Sequence, residues 1–140
     1  MTLDFPYMHL PGGISRPIIA VAIEGPAGTR LVDGLLDTGS DRTILPEREA
    51  QAIGISLGPV SDGFIRTAAG VSIGYRLGVV ILELRSSAQF VRWKTPVAFA
   101  DQRLLLVHLG YRGFLEYFHC TFLGPERRVQ LTRCASLPTV

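Results

Sequence analysis

The sequence predicts an all-β domain, a closed barrel or sandwich with one or two short helices. Three observations carry that expectation. Apolar, β-branched runs recur along the chain, Gly- and Pro-containing turn signals punctuate them, and few segments carry helix start and stop signals. At 140 residues and 47% hydrophobic content, the chain has the size of one domain and can bury a real core.

The elements follow in order. Pro17-Ile18-Ile19-Ala20-Val21-Ala22-Ile23 and Arg30-Leu31-Val32-Asp33-Gly34-Leu35-Leu36 flank Glu24 to Thr29 and read as a hairpin. Pro46 to Gly54 places Pro at a first helical position, acids in the first turn and Gly at the end, which marks a short helix. Phe64-Ile65-Arg66-Thr67 and Val71-Ser72-Ile73-Gly74-Tyr75 flank Ala68-Ala69-Gly70 and suit a second hairpin with a light tip. Val79 to Leu84, Val97 to Ala100 and Leu104 to Val107 read as buried strands. Phe114 to Phe118 suits a brief helical turn. Cys120 to Leu123 and Val129 to Leu131 then form a closing hairpin around Gly124 to Arg128.

Composition excludes several functions. The 14 basic and 12 acidic residues nearly cancel, and the basic ones are scattered, so no nucleic-acid footprint is evident. Lys94 is the only lysine; the remaining positive side chains are arginine. No uninterrupted apolar run reaches the roughly 18 residues of a spanning helix, and residues 1–6 lack a basic segment leading into an apolar one. Two cysteines, Cys120 and Cys134, are too few for a disulfide framework and lack the spacing of a zinc site. A soluble, cytoplasmic protein without membrane partners is the expectation.

The chemistry concentrates at Asp37. An apolar strand, Val32 to Leu36, delivers this carboxylate onto the tight polar turn Thr38-Gly39-Ser40. A carboxylate at the end of buried β-structure needs donors, and the backbone N–H groups of Gly39 and Ser40, with the hydroxyls of Thr38 and Ser40, can supply them. Two carboxylates about a shared water can hydrolyse a peptide: one takes the water's proton, and the other, protonated, donates to the carbonyl. The chain holds a single Asp-Thr-Gly. Either an unlike acid from the same chain completes the site, or a two-fold axis brings in a second Asp37.

Leu35-Leu36-Asp37-Thr38-Gly39-Ser40 with Thr43-Ile44-Leu45-Pro46, and later Val107-His108-Leu109-Gly110 with Phe114-Leu115, resemble the retropepsins. These are retroviral-type, single-domain aspartic proteases with cellular and bacterial relatives. The likeness spans roughly residues 17 to 131, and the order of parts fits it: hairpin, Asp turn, short helix, flap hairpin, long strands, apolar-Gly segment and final strand. It implies a two-fold homodimer with one catalytic Asp per subunit, acting on an extended polypeptide without metal or organic cofactor. Asp37 would be catalytic, and Thr38 would lock the two turns across the axis, with Gly39 against the substrate backbone and Ser40 completing the turn. Leu35, Asp41, Arg42 and Ile44 would line the substrate site. Leu109, Gly110 and Arg112 would support it, with Arg112 paired to Asp41.

A flap tip at Thr67-Ala68-Ala69-Gly70 is preferred; a shorter register would put it at Ser61-Asp62-Gly63. The protease domain is expected at residues 17–132. Residues 1–16 form an N-terminal extension expected to pack at the dimer interface through Phe5, Tyr7, Met8 and Leu10, and residues 133–140 form a tail. Two departures stand out: His108 occupies a position that is usually apolar, and Tyr111 separates Gly110 from Arg112. They keep a rival reading open, a retropepsin-fold module that dimerises or binds peptides without cutting them.

Other candidates read more plainly as structure. His9, His108 and His119 share no metal spacing, and no Gly-x-Ser-x-Gly elbow accompanies them. Asp33, Asp62 and Asp101 read as turn or loop residues. Cys120 reads as a small core residue and Cys134 as an exposed thiol. Trp93 is expected to cap a strand edge rather than line a pocket.

Overall fold

The computed structural model of the chain describes residues 1–66, 69–101 and 106–140. Its strands are β1 (Thr2–Pro6), β2 (Met8–Leu10), β3 (Ile14–Arg16), β4 (Ile18–Gly25), β5 (Gly28–Leu36), β6 (Ile44–Pro46), β7 (Gly63–Arg66), β8 (Ser72–Ser86), β9 (Gln89–Ala100), β10 (Val107–Leu109), β11 (Phe118–Leu123) and β12 (Arg128–Arg133). Helix α1 (Glu47–Ile53) follows β6, and a 3₁₀ turn, Leu115–Tyr117, precedes β11. The all-β expectation holds.

The main sheet runs β4-β5-β10-β6-β9-β8-β7, and a further β4–β8 pairing closes it into a barrel with β7 appended outside. Closure leaves few free edges. Along β8, Val80, Leu82 and Leu84 are buried at every second position, as one face of a strand requires. The end of β9, Val97-Ala98-Phe99-Ala100, is buried throughout, because β6 and β8 cover both its edges and both faces are filled. One long hairpin, Ser72 to Ala100, replaces the separate strands the sequence suggested. Its turn at Ser87 has positive φ without Gly or Pro to announce it. Of the expected strand Leu104 to Val107, Leu104 and Leu105 lie outside the described residues.

Helix α1 begins one residue later than expected, with Pro46 as its extended N-cap, and ends at Gly54 in the left-handed region (φ 76°), as its stop signal implied. Buried Glu49 in its first turn receives Arg30 Nε–H at 2.8 Å and Nη2–H at 3.4 Å.

The ends of the chain pack against the core. β1 pairs with β12, which pairs with β11, in a three-stranded sheet. Leu3 and Phe5 are buried in the chain's own core, so β1 is part of the fold. The alternation Leu3, Phe5 against Thr2, Asp4 is a strand signal too short to stand out. Leu137 is buried too, so the tail also packs. Trp93 is fully buried rather than at an edge: its indole N–H donates to Gly113 O at 3.0 Å, and it meets Phe114 and Phe118 edge-on at 5.5 and 5.3 Å. Cys120 is half-buried against the core, and burial, aided by Cys134, pushes its thiol up to about 11. No described helix is long and apolar enough to cross a membrane.

Candidate active site

β5 ends at Leu36, and the next residue, Asp37, opens a turn that the segment after β10 grips from the side. Asp37 N–H donates to Leu109 O (3.1 Å), Tyr111 N–H to Ser40 O (2.9 Å), Arg112 N–H to Asp41 O (3.0 Å) and Thr43 N–H to Arg112 O (2.9 Å). Residues 37–43 therefore have few free backbone groups, and their geometry is set by residues about seventy positions away. Gly110 permits the approach: a Cβ there would stand 2.2 Å from Arg42 O and 2.6 Å from Ser40 O.

Within the turn, Gly39 N–H donates to Asp37 Oδ1 at 2.9 Å, Ser40 N–H to Asp37 O at 3.2 Å and Ser40 Oγ–H to Arg42 O at 2.7 Å. Asp37 Oδ2 is 3.1 Å from His108 Nδ1. The carboxylate is partly open, its side chain 31% exposed. It lies on the wall of a cleft of about 690 Å³ that Gly39, Ser40, Asp41, Arg42 and Ile44 also line. Leu35 and Thr38, also expected at the site, do not line it. Thr38 is exposed beside Asp37.

Sequence reasoning did not assign to the site Phe64, Ile65 and Arg66 of β7 and Tyr75 of β8, which line the cleft across from Asp37, nor His108, which stands beside Asp37. The Arg42 guanidinium lies 5.3 Å from the centre of the Tyr75 ring. The signal for the four hairpin residues was the alternation around the second hairpin, which shows that a strand is present but not what it faces. That hairpin is paired from Gly63↔Tyr75 to Arg66↔Ser72. Residues 61–63 lie at its Gly63↔Tyr75 end, where Asp62 N–H donates to Tyr75 O at 2.8 Å and the Asp62 carboxylate accepts Leu77 N–H at 2.7 Å. Thr67 and Ala68 lie outside the described residues, and Ala69 and Gly70 are exposed.

The expected Asp41–Arg112 ion pair is not among those of the described residues. The two meet through their backbones, where residues 110–112 run alongside 40–43 with the bridge Arg42↔Arg112. Among the described residues no three His, Cys, Asp or Glu stand together as metal ligands.

A family profile described as "Aspartyl protease" matches residues 19–112, which contain the whole of this turn and its clamp. The chain belongs to the aspartyl protease family. Among solved structures, this aspartyl protease resembles EIAV protease in complex with the inhibitor HBY-793. The TM-score is 0.51 at 23% identity, covering 68% of this chain and 81% of that one. That likeness gives the fold, the retropepsin barrel that the order of sequence motifs had implied. No curated protein matches the chain significantly.

Proposed function

We propose that this aspartyl protease is an endopeptidase that works as a two-fold homodimer on extended polypeptides. One observation carries the reading: a single Asp37, its Oδ1 held by the turn's own Gly39 N–H, faces an open cleft while Thr38 beside it is exposed. A carboxylate so presented supplies half of a two-carboxylate site. A second copy related by a two-fold axis supplies the other half and covers Thr38.

In the dimer the two Asp37 carboxylates face a common water. Two like charges about 3 Å apart do not both ionise, so the pair holds one proton between them. The ionised partner takes a proton from the water as its oxygen attacks the peptide carbonyl, and the protonated one donates to the carbonyl oxygen. The resulting diol collapses with a proton passed to the leaving amine, and the pair returns to its starting charge. The β7–β8 hairpin lies across the cleft, where backbone at its edge holds an extended peptide by added-strand hydrogen bonds.

The test is digestion of a peptide library by the purified chain from acidic to neutral pH, beside Asp37→Asn. Cleavage should fall by about 10³-fold in the variant, and specific activity should drop on dilution as the dimer dissociates. Wild-type rates from the variant, or peptide binding without any cleavage, would defeat the proposal.

A further inference from the structure

His108 is the middle residue of β10, and its neighbours Val107 and Leu109 are buried in the core. Strand alternation therefore turns His108 to the opposite face, towards the cleft. β10 pairs parallel with β5, placing His108 opposite Leu35, and antiparallel with β6, placing it opposite Ile44. Asp37 follows Leu35 by two residues, so its side chain emerges on the same face, diagonal to His108. The 3.1 Å contact between Nδ1 and Asp37 Oδ2 thus follows from strand register, with the imidazole held by a backbone paired on both sides. It is not a chance rotamer of an exposed loop.

The plain alternative is a polar residue that found a convenient acceptor. Against it stands where the contact falls. Oδ1 of Asp37 takes Gly39 N–H, and His108 takes Oδ2, so both oxygens of the one carboxylate on which the proposed chemistry depends are engaged and the plane of the group is fixed. The other charged or titratable side chains lining the cleft are Asp41, Arg42, Arg66 and Tyr75, and none of them bonds to Asp37 among the described contacts.

We infer that His108 is a positioning residue for Asp37: its Nδ1–H donates to Oδ2 and sets the direction in which the carboxylate presents its oxygens to the water. A carboxylate can only accept, so the hydrogen bond requires a proton on Nδ1. This role rests on the catalytic reading of Asp37, and each protomer brings its own His108.

Three variants and one spectroscopic measurement test it. His108→Leu removes the donor at similar volume and should lower kcat about 10- to 100-fold, the loss expected for one hydrogen bond to a charged group, with KM within about twofold of wild type. His108→Asn, which places an amide N–H near the position of Nδ1, should recover most of that loss. Imidazole ¹⁵N shifts at neutral pH should report an Nδ1–H tautomer for His108 in the wild type, moving to the ordinary Nε2–H form in Asp37→Ala, whether or not a substrate is at hand. Cleavage that survives Asp37→Asn defeats the reading of Asp37 itself. Cleavage that needs Asp37 but is indifferent to His108→Leu overturns the role of His108 alone, as does an Asn variant as slow as the Leu one or an Nε2–H tautomer in the wild type.

Discussion

The Asp37 turn and the β7 strand across the cleft from it are held in very different ways. Residues 37–43 are tied by backbone hydrogen bonds to residues 109–112, with Gly110 packed against the carbonyls of Ser40 and Arg42. Among the described residues β7 pairs with β8 alone, through the register Gly63↔Tyr75 to Arg66↔Ser72, and its Phe64 is 73% exposed. One wall is over-determined and the other leans on a single neighbour. Under the proposed function, holding a carboxylate to within a fraction of an ångström calls for the first, and admitting a polypeptide calls for the second.

The sharpest way to break the comparison is Gly110→Ala. The new methyl would meet backbone oxygen at 2.2 and 2.6 Å, where no side chain can give way. A loss of about 3 kcal/mol or more is expected from chemical denaturation, with activity gone even in the folded fraction. If Gly110→Ala were as stable and active as wild type, the grip on the turn would not matter.

Trp93→Phe probes the same wall from beneath. It removes the indole N–H that satisfies the buried Gly113 carbonyl, next to the clamp segment, while keeping an aromatic ring against Phe114 and Phe118. A cost of about 2 kcal/mol in unfolding free energy is expected.

The two walls also differ in how far the sequence revealed them. Asp37-Thr38-Gly39 and the later Leu109-Gly110 announce the gripped wall, since a carboxylate on a glycine turn and a glycine under close packing are local necessities that leave local traces. Even there, the Trp93–Gly113 bond and the His108–Asp37 contact depend on register between distant strands, which no single segment encodes. The hairpin was legible as a hairpin, but that Phe64, Ile65 and Tyr75 share a cleft with Asp37 follows from the tertiary arrangement of the strands. β1 went unread for a related reason: five residues with two inward apolar side chains become a strand only because β12 offers an edge.

Thr43→Val sharpens the contrast with the opposite sign. Thr43 is fully buried where the clamp ends, and its Oγ1 has no hydrogen-bond partner among the described residues. Replacing the hydroxyl by a methyl removes an unsatisfied polar atom at nearly the same shape, so stability should rise by about 1 kcal/mol. A fall in thermal midpoint would instead mean that the hydroxyl is satisfied in solution.

The smallest expected effect on stability belongs to the other wall. Phe64 lines the cleft, yet most of its surface stays in water and β7 makes its ladder without help from the ring. Phe64→Ala should therefore change unfolding free energy by no more than about 0.5 kcal/mol. On the proposed reading its ring would cover a bound peptide, so KM should rise several-fold while kcat, set at Asp37 across the cleft, stays near wild type. A matched loss in kcat would mean that the hairpin helps to order the Asp37 turn. The two walls would then be coupled, and the contrast between a fixed side and a yielding side would have to be given up.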